Sequence, residues 1–339
     1  MTSATVSLQR HFCTLFDRGF LFKGLALYKS LMKHAVNFTL WILCMDTETY
    51  NVLKQLNLPN VRLLTLSDVE DEQLQTAKQN RSSRKYCFTL SPSLPLYILK
   101  NHDIESISYL DADLYFFSSP EVIYKEMESK SIMIIPHHLG PTRKEKEKEV
   151  GKYNVGMLIF KKDENGLACL RWWREQCILY CDDQIRPGHY DDQKFLDYFE
   201  EKFKGVHVLK NRGANLAPWN IERDKIHIQK NIVFVGNDPL VFFHFSGFQL
   251  YEKSFMLPYG PYTFHEYTRS SLFKDFIYKP YSNCLYQTLN DIRRIRPLWN
   301  YGLTPRPKLL KSLEQLFYNS LYFPTWRLAK KITSLLKNK

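Results

Sequence analysis

No pair of cysteines in this sequence has CxxC or zinc-knuckle spacing, and the seven (Cys13, Cys44, Cys87, Cys169, Cys177, Cys181, Cys284) are odd in number. That excludes a disulfide framework and a structural zinc module as the basis of the fold, and reduced thiols are expected. Cys177 and Cys181 share a helix face at i, i+4, yet no second pair follows to complete a metal set. No apolar run reaches the roughly 18 residues that a spanning helix needs. The N-terminus, "MTSATVSLQRHFCTLFD", lacks a charged segment followed by an apolar one. Export by a signal peptide is therefore not expected, and the expected location is cytoplasmic. Internal repeats are missing, as are helix-turn-helix, RNP and zinc-finger patterns.

What is present is a chain of 339 residues with a formal charge of +12 and 15% aromatic residues. Its length suffices for a sizeable core, as one large α/β domain with an appendage or as two modest domains. The charge points to an anionic partner: nucleic acid, a phosphorylated ligand or an anionic membrane surface. Because the basic residues concentrate in the tail rather than along one reading element, nucleic acid is not expected.

Strand and helix patterns alternate. "RHFCTLFD" reads as a first strand ending at Asp17, and "FKGLALYKSLMKHA" as a helix. "FTLWILCMD" is a continuous apolar run of the kind buried on both faces of a parallel sheet. "ETYNVLKQLN" is helical, and "VRLLTLSDVE" a strand with an exit loop. "CFTLSPSLPLYILKN" predicts a helix with Pro92 and Pro95 near its start. "ISYLDADLYFF" predicts one strand, and "SIMIIPHH", "YNVGMLIFKK" and "VHVL" predict further ones. "RKEKEKEV" reads as a solvated loop, "LACLRWWREQCILYC" as an amphipathic helix, and "YDDQKFLDYFEEKF" as a helix with acids in its first turn. The alternation predicts an open, doubly wound α/β sheet whose ligands gather at the carboxyl ends of strands. It fails near Leu257, so residues 1–256 are expected to form the main domain. Residues 257–339 are expected to form a mostly helical extension with a basic amphipathic tail.

Asp111 and Asp113, in "SISYLDADLYFFSSPE", are the chemically loaded pair. On a regular strand i, i+2 side chains share a face, but two acids at a strand end can also turn together onto one cation, and Mn2+ or Mg2+ favours such oxygen ligands. Asp is also common in turns, so the pair alone does not establish a metal site. Its flanks, however, resemble the DxD strand of GT-A glycosyltransferases, especially family 8 and its relatives. "YNVGMLIFKKDENG" is similar to that group's NxG segment, "YDDQKFLDYF" to its DQ helix, "NLAPWNI" to its Trp-Asn loop and "VFFHFSG" to its HFxG motif, all in the family's order from roughly Phe12 to Gly247.

The resemblance implies a GT-A fold, a mixed Rossmann-like sheet flanked by helices. It also implies a metal-dependent transferase that moves a hexose from a nucleotide sugar, with UDP expected, to a glycan or lipid-linked acceptor with retention. Asp111, Asp113 and His244 would hold the Mn2+ or Mg2+. Thr14 and Asp17 would lie by the base, Asn154 and Gly156 by the donor sugar, and Asp192 and Gln193 beside the anomeric carbon, with Asp191 an adjacent alternative. Trp219 and Asn220 would enclose the sugar or acceptor, and His138, with His137, would reach the acceptor. Each has an ordinary reading as well. His244 alone would be a buried strand histidine, Trp219 packing, Asp192 a helix-dipole partner, and Thr14 and Asp17 strand and turn polarity.

The match breaks at the basic positions. Pro95 stands where the family usually has a basic residue, and "HFSGFQLYEKSF" lacks the family's Lys-Pro-Trp, leaving Lys253 as the nearest substitute. Arg84 or Lys85 is then the expected source of positive charge for the diphosphate. The tail, "KLLKSLEQLFYNSLYFPTWRLAKKITSLLKNK", suits either peripheral contact with an anionic membrane or packing on the domain. An inverting GT-A enzyme, a nucleotidyltransferase, an inactive sugar-binding relative and a nucleic-acid-binding protein are the alternatives.

Overall fold

The computed structural model describes residues 9–141, 143–181, 190–251 and 271–305. They fall into two units, one holding the described residues up to 246 together with 271–302, and the other 247–251 and 303–305.

The first unit opens with β1 (Arg10–Phe16), α1 (Leu21–His34), β2 (Phe38–Cys44), α2 (Thr47–Leu56), β3 (Val61–Thr65), and the helices α3 (Leu66–Val69), α4 (Glu72–Gln79) and α5 (Ser83–Asn101). Then come β4 (Ser106–Leu110), β5 (Leu114–Phe116), α6 (Glu121–Met127), β6 (Ile132–Pro136), α7 (Glu147–Val150), β7 (Tyr153–Lys161), α8 (Glu164–Leu179), α9 (Phe199–Lys202) and β8 (Val206–Val208). The strands β9 (Ile226–Gln229), β10 (Ile232–Val235), β11 (Asp238–Pro239) and β12 (Phe242–His244) precede α10 (Ser271–Phe273) and α11 (Lys279–Ile295). In the second unit, β13 (Leu250–Tyr251) pairs in parallel with β14 (Leu303–Thr304).

The expected α/β class is what the structure has. Seven strands in the order β3-β2-β1-β4-β7-β6-β8 form the central sheet. It is parallel from β3 to β4, and β7 runs antiparallel to both its neighbours. Each residue of β2 is buried, as its unbroken apolar run requires of a strand covered on both faces. On one face α5 and α8 pack together over Tyr109, Leu158 and Phe160, with Trp173 stacked on Phe160. Side-chain acceptors start several helices: Asp46 for α2, Asp71 for α4 and Asp163 for α8.

Several local expectations change. Pro92 and Pro95 lie inside α5 rather than near its start. An interior proline costs a helix about 3 kcal/mol, and here Leu90, Leu94 and Ile98, all fully buried, hold the helix on the sheet. The exit loop after β3 begins with α3, closed by reciprocal bonds between Thr65 and Asp68. "ISYLDADLYFF" is two strands, because the chain turns at Asp111–Asp113, where Leu114 N–H donates to the Asp111 carbonyl at 3.2 Å. The charged stretch forms a 3-10 turn (Lys144–Lys146) and α7, and the DQ segment is 3-10 over Gln193–Tyr198 rather than α. Asp191, with φ +47°, stops an α-helix from starting earlier.

The boundary expected at 256/257, Lys253 and the basic tail lie outside the described residues. α11, from the stretch expected as an extension, packs on α1 inside the first unit: Thr288 Oγ1 donates to the Phe22 carbonyl and Lys29 pairs with Asp291 at 2.7 Å. Among the described residues, no helix is long and apolar enough to cross a membrane.

Candidate metal centre and its surroundings

In the sheet order, β1 has β2 and β3 on one side and β4 on the other. The carboxyl ends of β1 and β4 therefore flank a reversal in strand order, the place where open α/β sheets leave a crevice. Asp17 follows β1 and Asp111 follows β4.

At the turn after β4 the chain leaves the main sheet, and β5 pairs antiparallel with β12 so that His244 stands opposite Leu114. Phe245 N–H donates to the Asp113 carbonyl at 3.0 Å, and His244 N–H donates to the Leu216 carbonyl at 2.8 Å. These bonds fix the His244 ring against both acids. Its Nε2 lies 3.2 Å from Asp113 Oδ1 and 3.7 Å from Asp111 Oδ2. One ligand atom from each residue falls within 4.8 Å of the others. Two carboxylates and an imidazole suit a divalent ion that accepts both oxygen and nitrogen, such as Mn2+.

The other ring nitrogen supports this fit. His244 Nδ1 lies 3.2 Å from Asn154 Oδ1, which also accepts the Gly156 N–H at 3.2 Å. An amide oxygen only accepts, so Nδ1 carries the hydrogen and Nε2 can present a lone pair to a metal. Asn154 Nδ2 donates onward to Gln193 Oε1 at 3.4 Å, and Gln193 Nε2 donates to the Val150 carbonyl at 3.1 Å. Gly156 sits inside this group: a Cβ there would stand 2.7 Å from Asn154 Oδ1, 3.0 Å from His244 Nδ1 and 3.3 Å from Asn215 Oδ1. No larger residue fits without displacing the histidine's support.

Charge is unevenly held. Burial pushes the Asp111 carboxyl up to about 6, with Asp113 adding to the rise and His244 opposing it. Burial would also raise Asp113, but His244 and then Lys23 outweigh it and its pKa is lowered. For His244, burial favours the neutral ring, yet Asp113 and Asp111 prevail and raise it. The opposed shifts favour a protonated ring beside a charged Asp113, and a cation bound there would take the place of that proton.

The other expected residues sort by position. Asp192 is buried, its backbone carbonyl held by Trp173 Nε1 at 2.9 Å. Burial lifts its pKa well above the usual range, a hydrogen bond from Ser91 opposes the rise, and Asp111 and Asp191 add to it. Asp17 Oδ1 closes its own turn by accepting Gly19 N–H at 2.9 Å and Phe20 N–H at 3.2 Å. Cys87 on α5 is pushed up to about 12, chiefly by burial and then by Asp17 and Asp192, so these two acids converge on one region. Thr14 is enclosed in β1 with 0% exposure, its hydroxyl lacking a hydrogen-bond partner among the described residues.

Trp219 places its ring edge-on to His244, centroids 5.1 Å apart, and donates Nε1–H to the His137 carbonyl at 3.1 Å. The Asn220 amide is spent on the loop: Oδ1 accepts Ala217 N–H, and Nδ2 donates to the carbonyls of His137 and Asn215. His137 and His138 are both lowered to about 4, first by burial; at His137 the Gly151 carbonyl opposes this, and at His138 Arg223 and Arg212 reinforce it. His138 thus lies near a basic pair, with φ +52°. Lys85 lines a cavity of about 550 Å³ between α4, α5 and the end of α8, together with Arg81, Asn80 and Tyr180.

Three residues of this region were not singled out from the sequence. Tyr109 touches Ser91 through its hydroxyl at 3.3 Å and helps hold Asp111 in its charged form. Asn215, with φ +61° and 1% exposure, keeps both side-chain polar atoms without partners among the described residues. Lys23, on α1, is buried and acts electrostatically on Asp113 and His244. Asn215 lay within the "NLAPWNI" segment and its proximity to Asn220 was a usable signal; Lys23 gave none.

No family model matches the chain. Among solved structures, the apo form of mouse xyloside xylosyltransferase 1 aligns with 70% of this chain and 98% of its own, at 16% identity and a TM-score of 0.46. Two Bacillus subtilis (strain 168) proteins are much more similar in sequence. YfnD, described as an uncharacterized protein, is 32% identical over 300 residues, 87% of this chain and 95% of its own. YfnF, with the same description, is 30% identical over 297 residues, 85% of this chain and 96% of its own. Identity of that level across nearly the whole of each relative means that this chain belongs to the same family as YfnD and YfnF.

Proposed function

We propose that the protein is a metal-dependent glycosyltransferase of GT-A type that moves a hexose from a nucleotide sugar, UDP-linked in our reading, to a glycan or lipid-linked acceptor with retention. The observation that carries this reading is the grouping of Asp111, Asp113 and His244 at the carboxyl end of β4, with the His244 tautomer set by Asn154. It is supported by the order of the resembling motifs and by the crevice between β1 and β4.

Asp111, Asp113 and His244 would hold a divalent ion, which would supply countercharge to the diphosphate. The rest is the work of the chain. Gly156 leaves room for Asn154 and His244 to meet, which a side chain there would prevent, and so keeps the donor-sugar side of the site in place. Gln193, tied to Asn154 and Val150, holds an amide where positive charge develops on the sugar. Asp192 orients the sugar through its carboxyl. Trp219 offers a ring face for a pyranose and, with the loop held by Asn220, keeps out the water that would hydrolyse the donor. His138 is assigned to the acceptor, Thr14 and Asp17 to the base, and peripheral membrane contact on the cytoplasmic side to the tail.

Calorimetry with UDP-, GDP-, dTDP- and CMP-sugars, with and without Mn2+, tests this on wild type and Asp113→Asn. Binding that needs both the ion and Asp113 is expected; a folded wild type that binds none of them refutes the reading. The anomeric configuration of the product, read by NMR, decides retention.

A further inference from the structure

Two carboxylates offset the charge of one divalent ion, so the triad brings no net positive charge to a leaving nucleoside diphosphate. Of the positions where the resemblance would place a basic side chain, Pro95 is buried inside α5, Lys85 lines the cavity between α4, α5 and α8, and Lys253 lies outside the described residues.

Lys23 is differently placed. It occupies the first turn of α1, immediately after the Asp17 turn, and α1 packs beside β5, the strand that leaves Asp113; Phe116 N–H of β5 donates to Ser30 Oγ of α1 at 3.1 Å. Lys23 is 6% exposed, and its ammonium rests over the Phe20 ring at 4.2 Å. Among the described residues its ammonium has no hydrogen bond and no carboxylate in ion-pair contact, although Asp113 is near enough for each to influence the other. A buried ammonium without a partner is costly, and one beside a seated dication is more so, unless an anion bridges the two. The positive end of the fourteen-residue α1 adds to the same field.

Resting on the transferase reading, we propose that Lys23 is the direct cationic contact of the donor's diphosphate, in the crevice between the carboxyl ends of β1 and β4. The lysine is kept buried over the Phe20 ring, with no carboxylate in ion-pair contact, because its anionic partner arrives with the substrate.

The test is calorimetry of Mn2+, then of UDP, GDP, dTDP and uridine on the Mn2+-loaded protein, for wild type, Lys23→Met and Lys23→Arg. Lys23→Met is expected to weaken the preferred nucleoside diphosphate about 10- to 100-fold. Mn2+ and uridine affinities should not fall, and Lys23→Arg should recover part of the loss. The ligand-free Tm of Lys23→Met should equal or exceed that of wild type, since an unpaired buried charge is removed. Wild type that binds diphosphates, with Lys23→Met binding them equally well, overturns the assignment alone. Loss of Mn2+ affinity or a lowered Tm in Lys23→Met would show a structural role and overturn it too. Wild type binding no nucleoside diphosphate refutes the transferase reading and this inference with it.

Discussion

Asn154 holds the hydrogen on the Nδ1 of His244 and so turns Nε2 toward the two acids. Asn154→Ala should lower Mn2+ affinity by about 10- to 100-fold, measured by calorimetry, while the three ligands themselves remain. Protonation gives a second check. Asp111, pushed up to about 6, and His244, also raised, bind protons more tightly in the folded protein than in the unfolded chain. Their contribution to stability is present at low pH and is lost as pH rises through the folded values. Asp113 is lowered, so its contribution is present above its unfolded value near 4 and is lost only in acid. Ion-free protein should therefore lose Tm as pH rises from about 4 through 6, the unfolded and folded values of Asp111, and further as the raised His244 deprotonates. The Asp111 part, a shift from 3.8 to about 6 discounted for a side chain 29% exposed, is worth roughly 2 kcal/mol. Mn2+ should reverse the loss, and Asp111→Asn should show a smaller one. A flat Tm across this range in the ion-free wild type would contradict the geometry.

At the scale of elements, the site depends on β5 pairing with β12 in one register. A slip by one residue would turn His244 to the opposite face. Gly156→Ala, on the neighbouring β7, should have the same outcome in milder form: the protein folds, but Mn2+ binding weakens because the new Cβ meets Asn154 and His244. Much at this scale was legible in the sequence. Phe38–Cys44 is apolar without interruption because β2 is covered on both faces, and the two acids marked the end of β4. What was hidden depends on tertiary context. Apolar periodicity cannot reveal that β4 and β5 belong to different sheets, since the break lies in a turn whose bonds are set by Gly156 and Phe245. α5 tolerates its prolines through packing that no local propensity records. Lys23 has the pattern of an ordinary helix lysine, and only its burial distinguishes it. Asn220, expected at the donor, has its amide engaged with the loop backbone, a bond pattern that spacing could not disclose.

For the whole molecule, the +12 charge leaves a large positive surplus that a single crevice does not use. The tail beyond residue 305 is the segment proposed to spend it on anionic lipid. Flotation with phosphatidylserine-containing liposomes should retain the full chain and release one truncated after Pro305, with salt weakening retention. Equal flotation of both would remove the tail from that role. The pairing of β5 with β12 has a consequence for synthesis as well. Asp111 and Asp113 leave the ribosome long before His244, so the early part of the chain carries two thirds of an ion site that cannot close. Only when the strand bearing His244 has docked can a cation tie the two distant segments together. The ion would thus act as a late fastener, and resistance to proteolysis conferred by Mn2+ would report that β12 is in place on β5.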